Sequence, residues 1–249
     1  MEKHYNTAYL ENTAKAIGAI KVLSYEPFKS LSKGTIVDLG CGNGADAARI
    51  HENTTQNVEI IGLDHDAQFI AEAIKKYPHI KFLEADVEKL PFENQSLDGI
   101  RTERMFQHLK KPEHVLQEIR RVLKKNSDLI ILDTDWPGIN FHTPLISIEN
   151  KIRAYLTDKK VNFGLSARYL PTMVLDHQFS IKKCTYHKVA ATSINELNGL
   201  LQYSDLMKEM ETKNILTQLE KASFSKELTK RDLNGTLNCS IDMIYIHAQ

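Results

Sequence analysis

No stretch of this sequence comes near the roughly 18 consecutive apolar residues that a membrane-spanning helix needs. Its longest strongly apolar run, Leu129–Leu132, is strand-sized, so no membrane insertion is expected. Met1–Lys21 lacks the apolar core and cleavage site of a secretory leader. Cysteine is scarce: Cys41, Cys184 and Cys239 lie far apart, with no CxxC or Cys/His ligand spacing. That excludes a disulfide framework and a zinc site, so no metal is expected. The thiols read as reduced, which fits a cytoplasmic protein. An excess of one charge is also missing, with 32 basic residues balancing 32 acidic ones. Without a basic field, nucleic acid is not an implied partner and a small-molecule substrate is expected. The oligomeric state stays open.

What is present is an ordinary globular composition, 42% hydrophobic over 249 residues, enough for one α/β domain with a sizeable core. Tyr5–Tyr25 reads as a helix, with Ala14, Ile17 and Lys21 on a loose stripe. Thr35–Leu39 reads as a strand and Ala45–Glu52 as a helix. Val58–Leu63 is a second strand, and Asp66 caps a helix that Pro78 stops. Ile80–Leu83 and Leu97–Ile100 are short strands. Pro112 opens a helix with Val115, Leu116, Ile119 and Val122 on one face, and Leu129–Leu132 is a strand buried on both faces. Alternation of this kind builds a parallel sheet with right-handed crossovers. Further on, Ile181–Val189 and Leu237–His247 read as strands, with helices near Ile146–Leu156, Ala167–His177 and Ile194–Ala222. The expected layout is a single domain: residues 1–30 form a helical lid, 31–137 a cofactor-binding core, and 138–178 and 190–236 helical insertions over the substrate side. Ligands of open α/β sheets bind at that edge.

The informative segment is Val37-Asp38-Leu39-Gly40-Cys41-Gly42-Asn43-Gly44. A strand turning at once into a helix needs glycine for its backbone freedom and for close approach of a ligand. The helix N-terminus beyond offers free N–H groups to an anion. Gly40-x-Gly42-x-x-Ala45, with Asp64 about 20 residues on, also fits a dinucleotide fingerprint, so an NAD-dependent oxidoreductase is one reading. Asp38 is awkward beside a pyrophosphate, because like charges repel, and it suits an ammonium instead. Asp86 can accept from an adenine amino group. A zwitterionic amino acid joined to a nucleoside explains Asp38, Asp64 and Asp86 together. A catalytically silent module that keeps this cofactor fold is the third reading.

These residues resemble the class I S-adenosylmethionine-dependent methyltransferases, in particular the type 11, ubiquinone/menaquinone-biosynthesis-like branch. Asp38–Gly44, Gly62-Leu63-Asp64, Ala85-Asp86 with Leu90-Pro91-Phe92, and Leu97-Asp98 with Phe106–Leu109 are similar to its successive motifs. The resemblance covers about residues 30–135. It departs at Lys125-Asn126-Ser127, where a Pro-Gly-Gly turn is usual. It implies a Rossmann-like seven-stranded, mostly parallel sheet with an antiparallel last strand, helices on both faces and helical insertions over the active site. The implied cofactor is S-adenosyl-L-methionine. Main-chain groups of Gly40, Cys41 and Gly42 would hold its methionine part, Asp38 its ammonium, and Asp64 its ribose. His65 or Asp66 would flank the adenine, Asp86 and Val87 would meet its edge, and Arg101 would line the methionine side.

The activity implied is methylation of a small molecule at oxygen, carbon or nitrogen by in-line displacement. No Asn-Pro-Pro-Tyr-type tetrapeptide follows the fourth strand, where Leu97–Thr102 stands instead. Proximity and orientation supply much of such catalysis, about 7–11 kcal/mol. A base is needed only where the nucleophile carries a proton. His108, on the ligand side after the fourth strand, is the candidate base, since imidazole titrates near neutrality. A packed histidine at a helix start is the alternative. Arg104, in the charged run with Arg101 and Glu103, together with Trp136 and His142 after the fifth strand, are candidates to meet the acceptor. Tyr5 and Tyr9 would close over the site as a lid.

Overall fold

A computed structural model describes residues 17–249 of the chain, so Tyr5, Tyr9 and most of the expected lid lie outside the described residues. The described part opens with α1 (Gly18–Tyr25) and a 3-10 turn over Glu26–Ser30. Strand and helix then alternate: β1 (Gly34–Leu39), α2 (Ala45–Glu52), β2 (Val58–Asp64), α3 (Ala67–Lys76), β3 (Lys81–Glu84), β4 (Leu97–Glu103), α4 (Pro112–Val122) and β5 (Leu123–Asn140). The second half carries α5 (Ile146–Tyr155), α6 (Ser166–Asp176), β6 (Ile181–Ala191), α7 (Ile194–Leu201), α8 (Tyr203–Thr212), α9 (Gln218–Leu233) and β7 (Cys239–Ala248).

The seven strands form one sheet in the order β3-β2-β1-β4-β5-β7-β6. β1 to β5 are mutually parallel, and β7 runs antiparallel to both of its neighbours. This is the expected architecture with its antiparallel last strand. Strand order reverses at β1, which lies between β2 and β4, and a crevice opens at the C-terminal ends of strands at such a switch point. Period-two alternation buries both faces. Ile36, Ile60, Ile130 and Leu132 face α1, α2 and α3, whereas Val37, Ile61, Ile100 and Ile131 face α4 and α6.

Local signals explain most boundaries. Asp66 Oδ1 accepts from the amides of Gln68 and Phe69, capping α3. Pro112 opens α4, where it removes an N–H that has no helical acceptor. Thr217 and Glu220 form a reciprocal capping box on α9.

Three features differ from the expectation. The fifth strand is far longer than Leu129–Leu132. Lys125-Asn126-Ser127 does not end it, because a register shift between Leu97 and Gly99 of β4 absorbs the extra residues, and Asn126 takes a positive φ of 63°. A second shift against β7, between Asp135 and Asn140, lets Trp136 leave the ladder. The expected helical stretch Ile194–Ala222 is broken by Gln202, whose φ of 51° ends α7 and starts α8. Finally, α6 is no cap over the strand ends. Its Ala167, Leu170 and Val174 are buried with Val115, Leu116 and Ile119 of α4, so it belongs to the layer on that face. The additions that pack together are α5 and α7–α9. Phe141 meets Phe224 edge-on at 5.3 Å, and Tyr155 donates to Glu209 at 2.5 Å.

Candidate active site

At the end of β1 the chain turns through Gly40, Gly42 and Gly44, all at positive φ. A Cβ on Gly44 would fall 2.6 Å from the Phe82 ring, so that position requires glycine twice over. The turn is pinned to β2. The amides of Gly40 and Cys41 both donate to the Leu63 carbonyl at 2.8 and 3.0 Å, and the Gly42 amide donates to Asp64 Oδ2 at 2.9 Å. These three N–H groups are bonded inward. The turn offers space, its carbonyls and the side-chain amide of Asn43. That side chain is buried, and its Nδ2 has no partner among the described residues.

Asp64 is held on both oxygens, since Oδ1 accepts from the Asp66 amide at 3.0 Å. Oδ2 keeps a second lone pair. His65 projects into solvent with Nδ1 3.3 Å from Asp64 Oδ1, and that hydrogen bond raises its pKa. Asp86 is exposed and accepts from the Glu88 amide, while Val87 packs half-buried on the core. The ends of β2 and β3 lie side by side, Asp64 opposite Glu84, so Asp64 and the Asp86 turn share one edge.

The other side of the switch point holds a buried charge cluster. Asp38 and Arg101 are register partners on β1 and β4, with Arg101 Nη1 donating to Asp38 Oδ1 at 2.9 Å. Arg101 Nε donates to Ser24 Oγ at 2.8 Å, its Nη2 bonds Glu103, and Nη1 lies 3.6 Å from Asp46 Oδ2. Lys21 of α1 bridges Asp46 at 2.5 Å and Glu103 at 2.8 Å. Tyr25 donates to Asp46 Oδ1 at 2.5 Å, and its ring lies beneath the Arg101 guanidinium. Burial pushes the Asp38 carboxyl up to about 7 despite the pull of Arg101. Burial also opposes the charge on Asp46, yet Lys21 and Arg101 outweigh it and hold that carboxyl far below the usual range. Arg49 of α2 also acts on Tyr25 and Asp46, so three basic side chains lie around these three acids. Lys21, Ser24, Tyr25 and Asp46 were not among the expected site residues.

Beyond β4 lies an apolar slot. Arg104 borders it, with Thr134 and Trp136 of β5 and Ile241 and Met243 of β7 as the floor. Ile17, one turn before Lys21, and Leu200 and Leu201 of α7 close it. Trp136 Nε1 donates to Gln107 Oε1 at 2.8 Å, and Gln107 Nε2 lies 3.0 Å from His108 Nε2. Asp133, fully buried, accepts from the Gln107 and Thr134 amides. The structure thus brings Arg104 and Trp136 together. His108 stands behind Gln107 and does not line the slot. His142 is exposed, its Nε2 3.0 Å from Ser240 Oγ, and lies off the slot as well.

Against known proteins, a family profile described as a methyltransferase domain matches residues 30–223. A demethylmenaquinone methyltransferase of Thermotoga maritima is 35% identical over 149 residues, covering 57% of this chain and 62% of that protein. An uncharacterised transposon protein of Streptomyces fradiae is 27% identical over 179 residues, covering 70% of this chain and 52% of that one. The chain thus spans between half and two thirds of these curated relatives. Among solved structures, a geranyl diphosphate methyltransferase in complex with S-adenosylmethionine aligns over 100% of this chain and 92% of its own, with a TM-score of 0.59 and 14% identity. At that identity the likeness concerns the fold.

Proposed function

The chain belongs to the methyltransferase-domain family, and from that premise we propose that it transfers a methyl group from S-adenosyl-L-methionine to a small-molecule acceptor. The observation that carries this reading is the pair of acids Asp38 and Asp64 at the C-terminal ends of β1 and β2, on either side of the glycine turn. A sulfonium amino acid joined to a nucleoside brings an ammonium and a ribose diol that are complementary to these two acids. The pyrophosphate of a dinucleotide has the opposite sign and is repelled, which disfavours the oxidoreductase reading. The unpartnered Asn43 Nδ2 supplies a donor for a carboxylate within the same turn.

When bound, the cofactor supplies an electrophilic methyl on sulfur that a nucleophile displaces in line. The chain's own residues do the rest. Asp38, held by Arg101, faces the ammonium. Asp64, already oriented by Gly42 and Asp66, has a lone pair left on Oδ2 for the ribose diol. Val87 and the Asp86 turn flank the base. α1 covers the cluster through Lys21 and Tyr25 and keeps water from it, which strengthens every charge inside. The slot between β4, β5, β7 and α7 receives the acceptor.

Isothermal titration with S-adenosylmethionine and S-adenosylhomocysteine tests the reading, beside an Asp64→Ala variant shown to be folded by its melting curve. The expected result is micromolar binding that weakens strongly in the variant. A folded wild-type protein that binds neither ligand overturns it.

A further inference from the structure

We propose that the outer face of α6 and the groove beside it form a two-fold interface with a second copy of this chain. Of the nine large apolar side chains exposed among the described residues, four lie on α6, at its N-cap or on the strand next to it: Leu165, Tyr169, Leu175 and Tyr186. Single exposed apolar residues need no explanation, but their concentration on one face marks an interaction surface.

The face carries a ridge. α6 buries Ala167, Leu170 and Val174 on one side. Leu165, Arg168, Thr172 and Leu175 follow at spacings of three and four, so they line the opposite side, and all four are exposed. The ridge is rigid. Arg168 is fixed by Asp135 at 2.8 Å. Pro171 has no N–H to give to the Ala167 carbonyl, and Tyr186 of β6 donates to that carbonyl instead, at 2.9 Å. A rigid ridge loses little entropy on docking.

The face also carries a groove of about 590 Å³ between α6 and the N-terminal half of α4. Leu109, Pro112, Phe163 and Met173 give it an apolar floor. The Phe163 amide on the Gln107 carbonyl, at 2.9 Å, and Asn162 Nδ2 on the His108 carbonyl, at 2.6 Å, fix one end. Lys110, Lys111, His114, Gln117 and Tyr169 stand exposed along its banks, so it is an open trough. A small ligand would stay wet along one side there, whereas ligand pockets bury most of their ligand. A helix suits a trough, as ridges pack into grooves. Ridge and groove lie side by side on one surface, which is what an isologous interface requires: the ridge of each copy fills the groove of the other.

Charge fixes the direction. α4 and α6 run parallel, since Pro112 at the start of α4 shares the groove with Phe163 and Tyr169, while Arg120 in the last turn of α4 lies over Phe179, just past α6. Lys110, Arg168 and both helix N-termini therefore stand at one end of the face, and Asp176 at the other. A two-fold axis near Thr172, midway between Arg168 and Asp176, packs the two α6 helices antiparallel. It sets Asp176 near the partner's Lys110 and opposes the helix dipoles. Thr172 is short, so the backbones can approach closely.

Sedimentation equilibrium of the full chain, at concentrations up to about 100 μM, tests this, with melting curves to show that each variant is folded. Wild type should dimerise with a micromolar dissociation constant. Thr172→Arg, on the axis, should raise that constant at least about 30-fold. Asp176→Lys and Lys110→Glu should each raise it about 10-fold, because every change counts twice across the axis. Lys110→Glu combined with Asp176→Lys restores opposite charges, so the double variant should dimerise more tightly than the two separate losses predict. A wild type that stays monomeric at the highest concentration overturns the proposal. So does a dimer that Thr172→Arg leaves unmoved, or a double variant whose losses simply add. None of these readouts involves the cofactor, so the outcome is independent of the methyl-transfer reading.

Discussion

Arg101 on β4 and Asp38 on β1 stand opposite one another in register, 2.9 Å from Nη1 to Oδ1, and neither side chain reaches solvent. The pair is the hub of the cluster, since the same guanidinium also holds Ser24 and Glu103. Removing one partner of a buried ion pair strands the other in low dielectric, at a cost of about 3–5 kcal/mol. Arg101→Met should therefore destabilise the fold by that order, measured by urea denaturation. Arg101→Met combined with Asp38→Asn should recover part of the loss, because one of the stranded charges is then gone. Strict additivity of the two changes would show that they do not interact.

Asp133 predicts a pH dependence with a definite sign. Burial is the main cause that pushes its carboxyl up to about 7 from 3.8, against the hydrogen bonds donated to it by the Thr134 and Gln107 amides. The folded chain then holds this proton where the unfolded chain has released it. Between about pH 4 and pH 7 the native state binds more protons, so stability falls as pH rises and levels off above 7. The effect is at most about 4 kcal/mol. Asp133→Asn carries no such proton. Wild-type stability minus variant stability, from melts or urea curves, should decline across that window. A flat difference would mean that Asp133 is ionised in the fold with its charge fully compensated. Asp38 shifts in the same direction, but it is common to both proteins and cancels in the difference.

Much of this was legible from short-range pattern. The glycine turn, the Asp66 cap and the parallel core rest on neighbours in sequence, and the structure returns them. The charge cluster does not, because Lys21, Asp46 and Asp38–Arg101 come from separate elements that only the sheet brings together. One signal was present all the same: Lys21 falls on the stripe position four residues after Ile17, and a lysine on an apolar stripe marks either a break in the stripe or a buried ion pair. Asp46 read as an ordinary acid in a first helical turn. Trp136 was legible as a residue after the fifth strand, but its place on the slot depends on a bulge against β7, a partner about a hundred positions away. The placement of α6 failed for the same reason, since one buried stripe looks alike over a sheet face and over a sheet edge.

Lys21 makes the last prediction. Its ammonium is buried between Asp46 and Glu103, and those two bridges, with the Tyr25 hydroxyl on Asp46 and the Ser24 hydroxyl on Arg101, tie α1 to β4 and to the start of α2. Lys21→Met keeps most of the stem and removes the charge, leaving Arg101 and Arg49 to face three carboxylates. α1 can relieve that repulsion by peeling away, so the loss should appear as local opening before global unfolding. Amide exchange across residues 17–30 should accelerate by an opening free energy of about 2–3 kcal/mol, while exchange in β4 and β5 changes little. Lys21→Arg, which restores the charge, should return most of the protection. Unchanged exchange in α1 would show that Ile17, Ile20 and Phe28 hold the helix by packing alone, and the bridges would then have no part in closing the site.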